Sequence, residues 1–101
     1  MYIVLYRWKI KTGMEEKFRS AWRTRTQQII VEEGGLGSRL HQATDGSWIA
    51  YAQWPDRERW SKFWNAPKAQ GETGQAMRSC IESSDEPTGM SVIDDLLVQG
   101  R

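Results

Sequence analysis

Four of the six tryptophans fall within the stretch "WIAYAQWPDRERWSKFWNAP", residues 48–67: Trp48, Trp54, Trp60 and Trp64. Rings of this size can fill a core, cover a partner surface or wall a pocket for an aromatic substrate, each removing about 150–250 Å² from water. Polar groups that could work beside them are few. His41 is the only histidine and the only side chain whose ordinary pKa suits a general base near neutrality. A lone histidine is also commonly structural or solvated. Cys80, the only cysteine, sits beside Ile81 and three residues after Met77, a packing context rather than the electropositive one a thiolate nucleophile needs. One histidine and one cysteine exclude a zinc site of the usual composition. Asp94 and Asp95 are adjacent, so on a strand they face opposite ways and form no catalytic carboxylate pair.

The 101 residues suffice for a single domain, residues 1–101, with one core. Hydrophobic content is a low 39% while aromatics reach 11%, so burial rests on a few large rings, and a second copy is a natural source of more. The 14 basic and 13 acidic residues are interspersed, which argues against nucleic acid as a partner. The one local excess, Arg19, Arg23 and Arg25, reads as a solvated helix face. "MYIVLYRWKIK" is apolar for only six residues, too short for a leader or membrane span, so no membrane partner and a cytoplasmic location are expected.

Regular elements must position these groups. Residues 2–10 alternate as a strand, with Tyr2, Val4, Tyr6, Trp8 and Ile10 on one face and Ile3, Leu5, Arg7 and Lys9 on the other. From Met14 to Glu33, Phe18, Ala21, Trp22, Arg25 and Ile29 follow helical spacing, and Gly34-Gly35 supplies the stop. "LGSRLHQA" and "SWIAYAQW" flank "TDG", a hairpin signal. Pro55 ends that strand, and Asp56 caps a helix carrying Trp60, Phe63 and Trp64 on one face. "KAQGETGQ" reads as loop or weak helix, a short amphipathic segment holds Ala76, Met77, Cys80 and Ile81, "SSDEPTG" is a connector, and "MSVIDDLLVQ" is a final strand.

The order βαββαβ predicts an α+β ferredoxin-like sandwich with a four-stranded antiparallel sheet. In that strand order the last strand neighbours the first, which places Asp94 or Asp95 within reach of Arg7 as a structural bridge. Two helices cover one sheet face. The other still carries Ile3, Leu5, Ile49 and Tyr51, so a homodimer through that face is expected.

"RWKIKTGMEEKFRSAW" followed by "LGSRLHQATDGSWIAYAQWPDRERWSKF" resembles the antibiotic biosynthesis monooxygenase-like family of dimeric α/β barrels, over roughly residues 1–67. The resemblance implies a sheet-paired dimer with a pocket between sheet and helices in each subunit. Members of that family include cofactor-independent oxygenases of polycyclic aromatic phenols, haem-degrading enzymes and proteins without assigned activity. The haem-degrading pattern needs an asparagine on the first strand, a tryptophan on the later helix and a histidine beyond it. Aligned on "KTG", Tyr6 stands at the asparagine position, Trp64 matches the tryptophan, and Asn65 to Gly89 contains no histidine. Haem degradation is therefore disfavoured.

An oxygenase without metal or flavin must let its substrate supply the electrons: a phenol or enol loses a proton, and the anion reduces dioxygen. The protein contributes an aromatic pocket and polar groups that stabilise the anion. On that reading no cofactor is expected, the catalytic candidates are Tyr6, His41, Trp64 and Asn65, and the substrate-binding candidates are Trp8, Trp22, Arg39, Tyr51, Trp54 and Trp60. Regular spacing favours core for Trp8, Trp22 and Trp60, and the packing readings lead for Trp54 as a strand-end residue and Asn65 as a helix-end cap. Tyr6 and Trp64 fit either role. The alternative is a non-catalytic dimeric module that binds a small hydrophobic ligand or acts as an accessory protein.

Overall fold

In the computed structural model, which describes residues 1–66 and 71–98, five antiparallel strands and three helices follow the order β1 (Tyr2–Ile10), α1 (Glu15–Glu33), β2 (Gly37–Gln42), β3 (Trp48–Trp54), α2 (Arg57–Asn65), α3 (Glu72–Ser79), β4 (Ile81–Ser84) and β5 (Thr88–Ser91). The sheet runs β2-β3-β1-β4, and β5 also pairs with β1. This is the ferredoxin-like α+β arrangement, with the final strand divided in two.

The division has a simple cause. β4 pairs with Trp8, Lys9 and Ile10, and β5 with Leu5 back to Tyr2, so both use the same edge of β1. Between them stands Pro87, which lacks the N–H a continuous ladder would need. The expected strand over residues 90–99 is therefore corrected: pairing begins at Thr88 and ends where Val92 N–H donates to Met1 O, 3.1 Å. Beyond Met1, β1 offers no further partner. Likewise the amphipathic segment splits, with Met77 in α3, Cys80 at its end and Ile81 already in β4. Glu72 to Gln75, expected as loop or weak helix, belong to α3; residues 68–70 of that stretch lie outside the described residues.

The first two-thirds follow the sequence pattern closely. Glu15 in the first turn of α1 reaches back to accept a hydrogen bond from Gly13 N–H at 2.9 Å, tying the "KTG" turn to the helix start. Gly34 takes the left-handed conformation (φ 80°) that ends α1. The hairpin turn closes through Ala43 N–H to Ser47 O, 2.8 Å, and Asp45 accepts from both Ser47 N–H (2.9 Å) and Ser47 Oγ (2.6 Å). Asp56 caps α2 by accepting from Arg59 N–H at 2.7 Å.

Two apolar clusters lie between the sheet and the helices. One contains Tyr2, Val4, Ala52 and Trp54, with Ile29, Trp60 and Phe63 against it. The other contains Trp8, Phe18, Ala50 and Cys80, with Trp22, Trp48 and Met77 against it. Ala50 and Ala52, the β3 partners of Tyr6 and Val4, are small enough to let large rings from α1 and α2 approach the sheet. On the other face the register aligns Leu5 with Tyr51 and Arg7 with Ile49, and adds Arg39 opposite Tyr51 and His41 opposite Ile49.

Candidate functional site

Tyr6 packs against both apolar clusters, so it marks the seam between them. Its hydroxyl accepts a hydrogen bond from Trp60 Nε1–H at 2.9 Å. Trp8, two residues along the same strand face, stacks beside it at 5.8 Å with an interplanar angle of 2°. Trp64 lies at 6.0 Å on another side, and Trp60 and Trp64 stack on each other at 5.8 Å and 19°. Positions 60 and 64 are one helical turn apart, which is why α2 can present both rings together. Trp60 also touches Tyr2, with ring centroids 6.0 Å apart.

Burial raises the Tyr6 pKa above the ordinary tyrosine value, and the hydrogen bond from Trp60 opposes that rise without cancelling it. The phenol is neutral at physiological pH. One oxygen lone pair is taken by Trp60, while the O–H proton is left to donate. Tyr6 is thus equipped to hydrogen-bond an anionic oxygen and poorly equipped to remove a proton.

The other anticipated residues separate clearly. Trp8 (9% exposed) and Trp54 (2%) are core, the latter against Phe63 at 5.1 Å. Trp22 is half-buried against the Trp8–Phe18 cluster. Trp64 is 38% exposed, the most accessible ring of the Tyr6 group, and Asn65 is the exposed last residue of α2. Arg39, His41 and Tyr51 lie on the opposite face of the sheet, because their register partners Tyr51, Ile49 and Leu5 alternate with the residues beside Tyr6. Within one chain they do not join the Tyr6 group.

His41 is exposed, with Nδ1 3.2 Å from Ile49 O; a carbonyl only accepts, so Nδ1 carries the proton of that contact. Cys80 is fully buried and its thiol contacts Ala76 O at 3.3 Å, in keeping with a packing role. Arg7 bonds Asp45 at 2.8 Å, not Asp94 or Asp95 as the strand order had suggested, because the hairpin turn brings Asp45 over the outer end of β1 while residues 92–98 leave the ladder. Ser47's hydrogen bonds, aided by Arg7, hold the Asp45 carboxyl down at about 2.

Grooves indent the surface of the described residues, two of them sizeable. One, of about 280 Å³, is bordered by Arg7, Trp8, Asp45, Ser47, Glu82 and Asp85; the other, of about 610 Å³, runs between α1 and β2. Neither is lined by Tyr6 or Trp64, whose neighbourhood is occupied by rings. Among the described residues no three His, Cys, Asp or Glu side chains gather as a metal site, and no helix is long and apolar enough to cross a membrane.

The strand order and helix placement define a ferredoxin-like domain with an aromatic cluster between sheet and helices. The sequence profile of the antibiotic biosynthesis monooxygenase family matches residues 1–87, and the chain belongs to that family. Among solved structures it is similar to SnoaB, a cofactor-independent oxygenase from Streptomyces nogalater, at 19% identity over 94% of this chain and 95% of that one, TM-score 0.71. Rv0793 from Mycobacterium tuberculosis is similar at 12% identity over 95% and 98% of the two chains, TM-score 0.71. A conserved protein from Methanosarcina mazei Go1 follows at 13% identity over 88% and 89%, TM-score 0.69. At these identities the likeness is one of fold. No curated protein sequence matches the chain.

Proposed function

We propose that the chain is a cofactor-independent monooxygenase acting on an aromatic or polyketide-like phenol or quinol beside Tyr6. The observation that carries this reading is the Tyr6 hydroxyl, fixed by Trp60, kept neutral by burial and walled by Trp8 and Trp64. A planar substrate would take a place among those rings, with its ionised oxygen accepting from Tyr6 O–H. The indole wall excludes water and strengthens that bond. The electron-rich ring then reduces dioxygen: one oxygen atom becomes a quinone carbonyl, the other leaves as water, and all four electrons come from the substrate.

Tyr6, Trp8, Trp60 and Trp64 include no group that ionises near neutrality. The substrate must therefore lose its proton to bulk water before it enters, and bind as the anion. Rings occupy the space around Tyr6, so entry requires Trp64, at 38% exposed, to swing outward. Trp64→Ala tests this: KM for 1,5-dihydroxynaphthalene should rise or kcat fall by about tenfold or more, the scale of one lost substrate-orienting contact. Unchanged oxygen uptake would remove Trp64 from the site.

The same ring-on-ring packing favours a second reading, a non-catalytic dimeric module that binds a small hydrophobic ligand or serves as an accessory protein. Saturable binding of aromatic ligands without turnover would establish it.

The functional unit on either reading is a homodimer through the sheet face that the helices leave uncovered. Leu5, Ile49 and Tyr51 are half-buried there, and the chain beyond β5 carries Ile93, Leu96, Leu97 and Val98 at 66–94% exposure. An apolar run of that kind is stable in water when a second subunit covers it.

A further inference from the structure

Beyond the bond from Val92 N–H to Met1 O, residues 93–98 join no strand among the described residues, and Ile93, Leu96, Leu97 and Val98 are 66–94% exposed. An apolar arm of this kind marks a surface that another surface covers. On the far side of the sheet, β2 is an edge strand with no described strand beyond it. An open edge is a template for another chain, and β2 has neither the proline nor the lysine that would blunt it.

Charge selects between the two edges of the sheet. Asp94 and Asp95 interrupt the apolar arm, both exposed and neither in an ion pair among the described residues. Adjacent residues on a strand face opposite ways, so an added strand offers one carboxylate to each face of the sheet. β2 is flanked by cations on both faces. Arg39, with His41 on the same side, lies on the uncovered face, and Arg23 stands across the α1–β2 groove on the helix face. Neither arginine forms an ion pair among the described residues. The opposite edge is less suited, because β4 carries Glu82 and β5 carries no charge.

We propose that residues 93–98 cross to a second copy of the chain and extend its sheet along the outer edge of β2, with one of the Asp94 and Asp95 carboxylates on Arg39 and the other toward Arg23. The chain's own β2 is out of reach. Its outer side lies four strand spacings of about 4.8 Å from β5, and six residues extend only about 20 Å, so crossing would leave nothing to pair. A two-fold axis repeats the exchange, so each arm holds the other subunit. The exchange rests on the homodimer proposed above and names what closes it.

The test combines backbone hydrogen exchange with sedimentation of the full chain. Amides of residues 93–98 should be protected in the dimer and lose that protection on dilution to monomer. Arg39→Asp sets like charges at two equivalent contacts, so the dimer Kd should rise about 100-fold, tenfold for each. Adding either Asp94→Arg or Asp95→Arg should restore the dimer, and the other should not, because its side chain points toward Arg23. Arg39, Asp94 and Asp95 are exposed, so these variants are expected to fold. Arm exchange is overturned, and the homodimer kept, if residues 93–98 exchange freely in a wild-type dimer. It is equally overturned if Arg39→Asp leaves the dimer Kd unchanged, or if its effect is rescued by neither or both of the arginine variants. Protection that survives dilution to monomer would assign the arm to its own sheet and overturn the exchange as well. A wild-type chain that sediments as monomer at every concentration would remove the homodimer itself, and the exchange with it.

Discussion

Tyr6→Phe removes one oxygen atom and separates the two roles that atom can have. In the folded chain the Tyr6 hydroxyl accepts from Trp60 Nε1–H at 2.9 Å, across 54 residues of sequence. Without it, a partly buried indole N–H loses its partner. A net hydrogen bond contributes about 0.5–1.5 kcal/mol, and an unsatisfied buried donor costs about 1–3 kcal/mol. Because both residues are only half-buried, water can recover part of this, and a loss of about 1–2 kcal/mol is expected. For a domain of this size that lowers Tm by roughly 4–8 °C per kcal/mol. Urea unfolding of Tyr6→Phe, Trp60→Phe and the double variant should give a coupling energy near 1 kcal/mol, within the range of about 0.5–3 kcal/mol found for contacting pairs.

Catalysis has its own readout. If Tyr6 O–H stabilises the substrate anion, oxygen uptake by Tyr6→Phe should fall by about 10²–10³ in kcat, the cost of removing one oxyanion donor. That loss should persist at temperatures where the variant is fully folded. Full turnover in a folded Tyr6→Phe protein would refute the catalytic role and leave the hydroxyl a packing device. Reduced coupling with full turnover would refute both.

Other outcomes follow from particular contacts. Asp45 is held at about 2 against its ordinary 3.8, so it stabilises the folded state above about pH 4 and loses that contribution as pH falls through its folded value; the urea midpoints of wild type and Asp45→Asn should converge there. Tyr6 is shifted the other way, so its stabilisation is complete below the ordinary tyrosine range and is lost as pH rises through the raised value; Tyr6→Phe should flatten that alkaline loss. A Cβ at Gly89 would collide with the Tyr2 ring, so Gly89→Ala should destabilise by about 1–3 kcal/mol, readable as a lower urea midpoint. Sedimentation should give twice the 11.7 kDa chain mass, and Tyr51→Glu, which puts a charge on the uncovered sheet face, should yield monomer.

Local patterns carried the sequence reading as far as β3 and the start of α2. Strand-like alternation marked β1, the "TDG" turn fixed the hairpin, and Asp56 announced α2. The divided final strand was not legible, because its break depends on Pro87 meeting one particular edge of β1 and on that edge running out at Met1. The separation of His41 from Tyr6 was nearly legible: each face follows from alternation, but their relation needs the β1–β3–β2 register. The Tyr6–Trp60 bond joins residues too distant in sequence for any periodicity to reveal. Arg19 and Arg23 were visible as a helical stripe, whereas the groove they border with Ser38 and Leu40 appears only when β2 is laid beside α1.

Cofactor-independent oxygenation by this chain is tested by oxygen consumption of the purified, chelator-treated wild-type protein supplied with 1,5-dihydroxynaphthalene. Uptake of one O₂ is expected for each substrate converted to 5-hydroxynaphthoquinone and water, at a rate that rises with pH as the substrate ionises and is unchanged in His41→Ala. Saturable binding of the same compound without oxygen uptake would contradict it and establish the chain as a binding module.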